Sequence, residues 1–146
     1  MNIIHNTIVK LGLLGTLVFF IACAAAEIKP VDIHPEDVCY HCKMAISEKQ
    51  FASEFVTPDG EARKFDDLGC MLEFVKSKNP QNVTFFVNDF NTKQWLKADR
   101  AFFVKSSEID TPMSGGIIAF GDQAQAKAAA ARFKGSELRF SELLKK

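Results

Sequence analysis

Twice along this chain, two short β-rich runs are followed by a helix opening on aspartate and then by another strand. No other feature narrows the possible folds so far. Residues 50–57 alternate well enough for a strand and residues 62–65 return as its hairpin partner. Pro58-Asp59-Gly60 between them is a turn whose glycine accepts the positive φ such turns need. Asp66 or Asp67 then caps a helix running to about residue 78. On it Leu68, Met71, Leu72 and Val75 repeat at helical spacing beside Phe74, and Asn79-Pro80 stops it. Residues 83–87 are a β-branched and aromatic run suited to a central strand, and residues 95–96 and 102–105 read as further strands. Thr111-Pro112-Met113-Ser114-Gly115-Gly116 is a loop leading into a strand at 117–120. A second helix is expected from Asp122 to about Phe133, with Lys134 as its basic end and Gly135 at the C′ position. Residues 136–140 supply a last strand, and Ser141 caps a short tail helix. Lys64-Phe65-Asp66-Asp67 and Ala119-Phe120-Gly121-Asp122 stand at corresponding helix openings. The expected fold class is α+β, with two similar ββαβ lobes packed into one compact unit.

The beginning of the chain is of another kind. Lys10 precedes residues 11–26, which carry no charge and end in small residues. That is the layout of a secretory signal, and the apolar run is short for a membrane-spanning helix. Phe20-Ile21-Ala22-Cys23 resembles a lipobox, which makes residues 1–22 a lipoprotein-type signal and Cys23 the lipidated first residue of the mature chain. Cleavage after Ala24-Ala25-Ala26 is the alternative. A lipid on Cys23 would hold the protein on a membrane surface without spanning it. Residues 23–36 read as a tether, with two prolines and several charges. The domain proper then covers residues 37–146, with lobe one at about 37–97 and lobe two at about 98–146.

Charge and cysteine count exclude some classes of function. Removing residues 1–22 takes away one cation, Lys10, and leaves 17 Lys plus Arg against 18 Asp plus Glu. With no basic run, a nucleic-acid partner is not expected. The sequence has no Ser/His/Asp arrangement, phosphate-cradling glycine loop or paired carboxylates placed for acid–base work, so an enzyme is not expected either. Lipidation of Cys23 would leave Cys39, Cys42 and Cys70, an odd number for an oxidising compartment. Metal ligation would explain why an unpaired thiol is tolerated.

Cys39-Tyr40-His41-Cys42-Lys43-Met44 places two thiols, an imidazole and a thioether within six residues. Thiolate and thioether together suit monovalent copper rather than magnesium, calcium or manganese. Cys42 and Met44 are i, i+2, so on a looping or extended segment both side chains project to one side and can reach one ion. That geometry favours a site on a loop, closed by a ligand from the second lobe. Met44 and Met113 both sit beside small or polar residues and not on apolar stripes, whereas Met71 belongs to the core face of the first helix. The competing reading of Cys39 and Cys42 is a thiol–disulfide pair, for which Thr111-Pro112 could imitate the facing cis-proline. A redox CxxC opens a helix, however, and residues 43–50 offer no long helix. A plain structural disulfide is a third reading. Cys70 reads as a buried, inert thiol, with a disulfide to Cys39 or a place in a metal site as alternatives. His41 is either a ligand or exposed, and His34 is a solvated tether residue.

The ordered set Cys39-x-x-Cys42-x-Met44, Phe65-Asp66-Asp67-Leu68-Gly69-Cys70-Met71, Asp89 with Trp95, Ala98 and Ala101, then Thr111-Pro112-Met113 with Ala119-Phe120 resembles the NosL family of copper-binding lipoproteins. The resemblance covers about residues 37–144. It implies a periplasmic, membrane-tethered chaperone carrying Cu(I) for the maturation of nitrous oxide reductase. The implied fold is a pair of similar ββαβ lobes related to the N-terminal part of organomercurial lyase. The family pattern points to Cys42, Met44 and Met113 as ligands, with Cys39 or His41 closing the site or handing the ion over. The implied partners are a membrane surface and a copper recipient, nitrous oxide reductase or its assembly complex. Lys43 stands where the family commonly has glycine.

Overall fold

Each lobe is built around a central strand with an antiparallel partner on either side. In the computed structural model, which describes residues 27–145, β1 (Ser53–Val56) lies between β2 (Ala62–Phe65) and β3 (Thr84–Asn88), and β4 (Trp95–Lys97) extends the sheet beyond β3. In the second sheet β5 (Phe102–Lys105) lies between β6 (Ile117–Phe120) and β7 (Ser136–Leu138). Helix α1 (Leu68–Lys78) joins β2 to β3, and α2 (Gln123–Arg132) joins β6 to β7. The short α3 (Phe140–Lys145) follows β7. The expected ββαβ order is therefore present twice, with the same neighbours in each sheet. The expected signal segment and Cys23 lie outside the described residues. No helix among the described residues is long and apolar enough to cross a membrane.

Local chemistry sets the boundaries. The first strand was expected over residues 50–57 but occupies Ser53–Val56, because a turn consumes its start: Phe51 donates to the Glu48 carbonyl at 3.0 Å and Ala52 to that of Lys49 at 3.2 Å. Asp67, not Asp66, caps α1, its carboxylate accepting from the Cys70 amide at 2.8 Å. Asp122 caps α2 the same way, accepting from Gln125 at 3.0 Å. At the end of α2 the left-handed residue is Lys134 (φ 49°), not Gly135, whose amide closes back on the Ala130 carbonyl at 2.8 Å. Gly135 is required for space: a Cβ there would lie 2.8 Å from both the Lys105 carbonyl oxygen and a Val104 methyl. Helix α3 starts at Phe140, one residue before Ser141, and Glu142 caps it instead by accepting from the Arg139 amide at 2.7 Å.

Two apolar cores share the second sheet. Phe55, Phe65 and Phe74 stack within 5.6–6.0 Å of one another between the first sheet and α1. This core also takes Phe103, Ile117 and Ala119 from the second sheet, with Phe140 and Leu143 from α3. The alternate residues Val104, Ile118 and Phe120 enter the other core, against Ala126 and Ala129 of α2. Burial on both faces explains why β6 reads as an unbroken apolar run and not as an alternating one.

The chain before β1 is fastened to the first sheet. Val31 donates its amide to Glu54 Oε1 at 2.7 Å, and Lys64 Nζ reaches both the Asp32 carbonyl and the Asp37 carboxylate at 2.6 Å. These contacts lead the chain into the cysteine loop in one direction.

Candidate metal centre

The cysteine loop is a small hairpin closed by its own backbone. Val38 and Ala45 form an isolated antiparallel bridge. Cys39 donates to the Met44 carbonyl at 2.7 Å, and Lys43 donates to the Cys39 carbonyl at 3.0 Å. Lys43 takes the left-handed conformation (φ 67°), which is open to glycine at no cost and explains why glycine suits this position. Its side chain folds back, Nζ donating to the Tyr40 carbonyl at 2.7 Å and lying 4.8 Å from the centre of the Tyr40 ring. The Tyr40 amide donates to the Lys64 carbonyl at 2.7 Å, which pins the hairpin to β2.

Pinned there, the loop delivers its thiols to the start of α1. Sγ of Cys39, Cys42 and Cys70 and a carboxylate oxygen of Asp66 all lie within 4.8 Å of one another. Cys39 and Cys70 are fully buried, their sulfurs 3.4 Å apart, while Cys42 is half-buried and donates to Asp66 Oδ2 at 3.2 Å. Among the described residues none of the three forms a disulfide. Burial pushes the Cys42 thiol up to about 11; hydrogen bonding to Cys39 and Asp66 adds to this, while the Met44 amide works against it. Burial drives the Cys70 thiol up further, and Cys39 and Asp66 reinforce that shift. Such a pocket keeps Cys42 and Cys70 protonated until a cation arrives to supply the missing charge, and ligation then releases protons.

The other expected residues are placed as follows. Met44 and Met113 are on the surface, 57% and 40% exposed, whereas Met71 is wholly buried in the core. The Met113 loop reaches the cluster through its backbone: the Met113 amide donates to Asp67 Oδ2 at 3.0 Å, and Asp67 adjoins Asp66. His41 turns toward Glu73, 3.7 Å away, and packs edge-on against Phe74, so the four groups brought together do not include it. Sequence reasoning treated Asp66 only as a possible cap and Cys70 mainly as an inert thiol. The available signal was the odd thiol count together with an acid four residues ahead of a cysteine at a helix opening. Pro112 does not reproduce a redox enzyme's cis-proline, since every peptide bond among the described residues is trans.

Comparison with known proteins places this geometry in context. A solved structure titled as the copper chaperone NosL from Shewanella denitrificans shares the fold with a TM-score of 0.71 at 21% identity, over 80% of this chain and 96% of that one. The copper-binding lipoprotein NosL of Stutzerimonas stutzeri is 27% identical over 135 residues, covering 80% of this chain and 67% of the relative. Neither is named as an enzyme. The NosL family model matches residues 30–146, a span that includes the thiol loop, both sheets and all three helices, and the chain therefore belongs to the NosL family.

Proposed function

We propose that this protein is a non-enzymatic Cu(I) carrier, with Cys42 as the anchoring thiolate and Met44 and Met113 as thioethers. Cys39 closes the site, and His41 stands beside the loop where it can assist release. The observation that carries the reading is the convergence of Cys39, Cys42 and Cys70 at one point, with two exposed methionines on loops whose backbones are hydrogen-bonded to Cys39 and to Asp67. Soft sulfur donors match a soft monovalent ion. A site with its thioethers at the surface leaves room for an incoming ligand, so the ion remains exchangeable. The names of the relatives, a copper chaperone and a copper-binding lipoprotein, support the same reading. With Cys23 lipidated, the carrier works from the periplasmic face of a membrane and passes copper to nitrous oxide reductase or its assembly complex.

The test is a competition titration of Cu(I) against a chromophoric chelator, using reduced protein, Cys42→Ser and Met113→Leu. Both variants should bind more weakly, and unchanged affinity in both would remove this site. The 3.4 Å approach of Cys39 to Cys70 favours one other reading, a thiol–disulfide protein. That reading requires turnover of a model disulfide, with Met44 and Met113 dispensable.

A further inference from the structure

We propose that Asp67 is the positioning residue that holds Met113 in register with the thiol loop. This rests on the reading of Met113 as a copper ligand and adds what places it. Asp67 is 1% exposed and uses both carboxylate oxygens. Oδ1 accepts from the Cys70 amide at 2.8 Å and so begins α1. Oδ2 accepts from Thr111 Oγ1 at 2.7 Å and from the Met113 amide at 3.0 Å, across 44 and 46 residues of sequence. One side chain thus starts the helix that carries Cys70 and fixes the loop that carries Met113.

The connection continues to the other half of the site. The Asp67 amide donates to Asp66 Oδ1 at 3.0 Å, and Asp66 Oδ2 accepts from the Cys42 thiol at 3.2 Å. Two adjacent aspartates therefore form an unbroken hydrogen-bonded line from the Cys42 sulfur to the Met113 backbone. A helix cap alone does not need this arrangement: Asp122 caps α2 with an exposed side chain that, among the described residues, accepts only from the Gln125 amide.

The loop is also shaped to receive the contact. Thr111 is buried, and its hydroxyl accepts from the Gly116 amide at 3.3 Å while donating to Asp67. Ser114 turns back to the Thr111 carbonyl at 2.8 Å. Gly69, in the first turn of α1, and Gly115 lie against one another so closely that a Cβ on either would meet the other's Cα at 3.0 Å. A carboxylate with two acceptor oxygens can serve the cap and the Met113 amide together. The asparagine amide has one acceptor and one donor, so it can keep the cap but cannot accept from the Met113 amide.

The experiment compares Asp67→Asn, Thr111→Val, Met113→Leu and Asp67→Asn/Met113→Leu in the full mature chain. Cu(I) affinity is measured by competition, Cu–S ligation by X-ray absorption, and the Met113 methyl by ¹³C NMR with and without metal. Asp67→Asn should weaken Cu(I) binding on the order of 10- to 100-fold, as loss of a ligand-orienting group does. It should also shift the Met113 methyl resonance in the metal-free protein and remove one Cu–S contact. Thr111→Val, which leaves the cap untouched, should act in the same direction more weakly and guards against a folding failure of Asp67→Asn. The double variant should lose no more than Met113→Leu. Wild-type affinity and ligation in Asp67→Asn would overturn the proposal, as would losses that simply add. If Met113→Leu binds as wild type, the ligand assignment itself falls, and the positioning role falls with it.

Discussion

Glu54 stands out among the single residues because it is a fully buried acid with half of its carboxylate unserved. Oε1 accepts from the Val31 amide, while Oε2 has no hydrogen-bond partner among the described residues. Burial raises its pKa from 4.5 to about 7, against the pull of the Val31 amide and of Lys64. The folded form therefore keeps a proton that the unfolded form releases above 4.5. The resulting contribution is most favourable below pH 4.5, declines as pH rises through the window from 4.5 to 7, and is flat above it. Thermal melts of wild type and Glu54→Gln across pH 4.5–8 should show the difference between them changing in that window; a constant difference would disprove the assignment. The same scale shows what the sequence could reveal. The meeting of Cys39 and Cys42 was legible because their spacing along one short segment already implies proximity. Asp66 was not, since its partnership with Cys42 depends on the hydrogen bond that brings Tyr40 to Lys64, which spacing does not encode. Cys70 was half legible: an odd thiol was expected to need a partner, but the pattern around Leu68 and Met71 suggested only a core position.

At the level of elements, α1 contains a residue that its own stability argues against. Glycine inside a helix costs roughly 1 kcal/mol relative to alanine, so Gly69→Ala should stabilise α1 taken alone. In the folded protein the new methyl would sit 3.0 Å from the Gly115 Cα, with the backbone of the second lobe in its way. The expected outcome is net destabilisation and a lower Tm, and a raised Tm would show that the two lobes separate there without cost. Strong periodicity made both long helices legible, as did the hairpin β1–β2, because turn chemistry and side-chain alternation are local. Ends were less so. Ser141 and Gly135 looked like caps by residue type, yet Glu142 and Lys134 take those roles for reasons that lie in the neighbouring strand and loop. Asp89 is a further connection that local pattern does not show. Burial pushes its pKa up, but amides of Gly121, Thr92 and Asn91 more than compensate and hold it below the usual range. One of these, Gly121, opens the helix of the other lobe, so Asp89 clasps the lobes as Asp67 does.

For the molecule as a whole, the second sheet serves two cores, and the lobes are structurally dependent on each other. Phe103, Ile117 and Ala119 face the core of lobe one, and Phe140 closes it, lying 5.1 Å from Phe85 and 5.9 Å from Phe103 by ring centres. Phe140→Ala should therefore destabilise the first lobe, although Phe140 lies beyond β7 of the second sheet, at a cost of about 3–5 kcal/mol. Fluorescence of Trp95, in β4 of the first sheet, should report the same unfolding midpoint as far-ultraviolet circular dichroism. Two separated transitions would contradict the shared core. The doubled order was legible in the sequence because each copy carries its own turns and helix opening. The sharing of β6 was not, because an apolar run says that a strand is covered on both sides without saying by what. The position of α3 has a consequence for assembly. Lobe one borrows core residues Phe140 and Leu143 from α3, which follows both sheets in chain order. Residues that leave the ribosome early, such as Phe85, thus wait for residues made much later before their core can close.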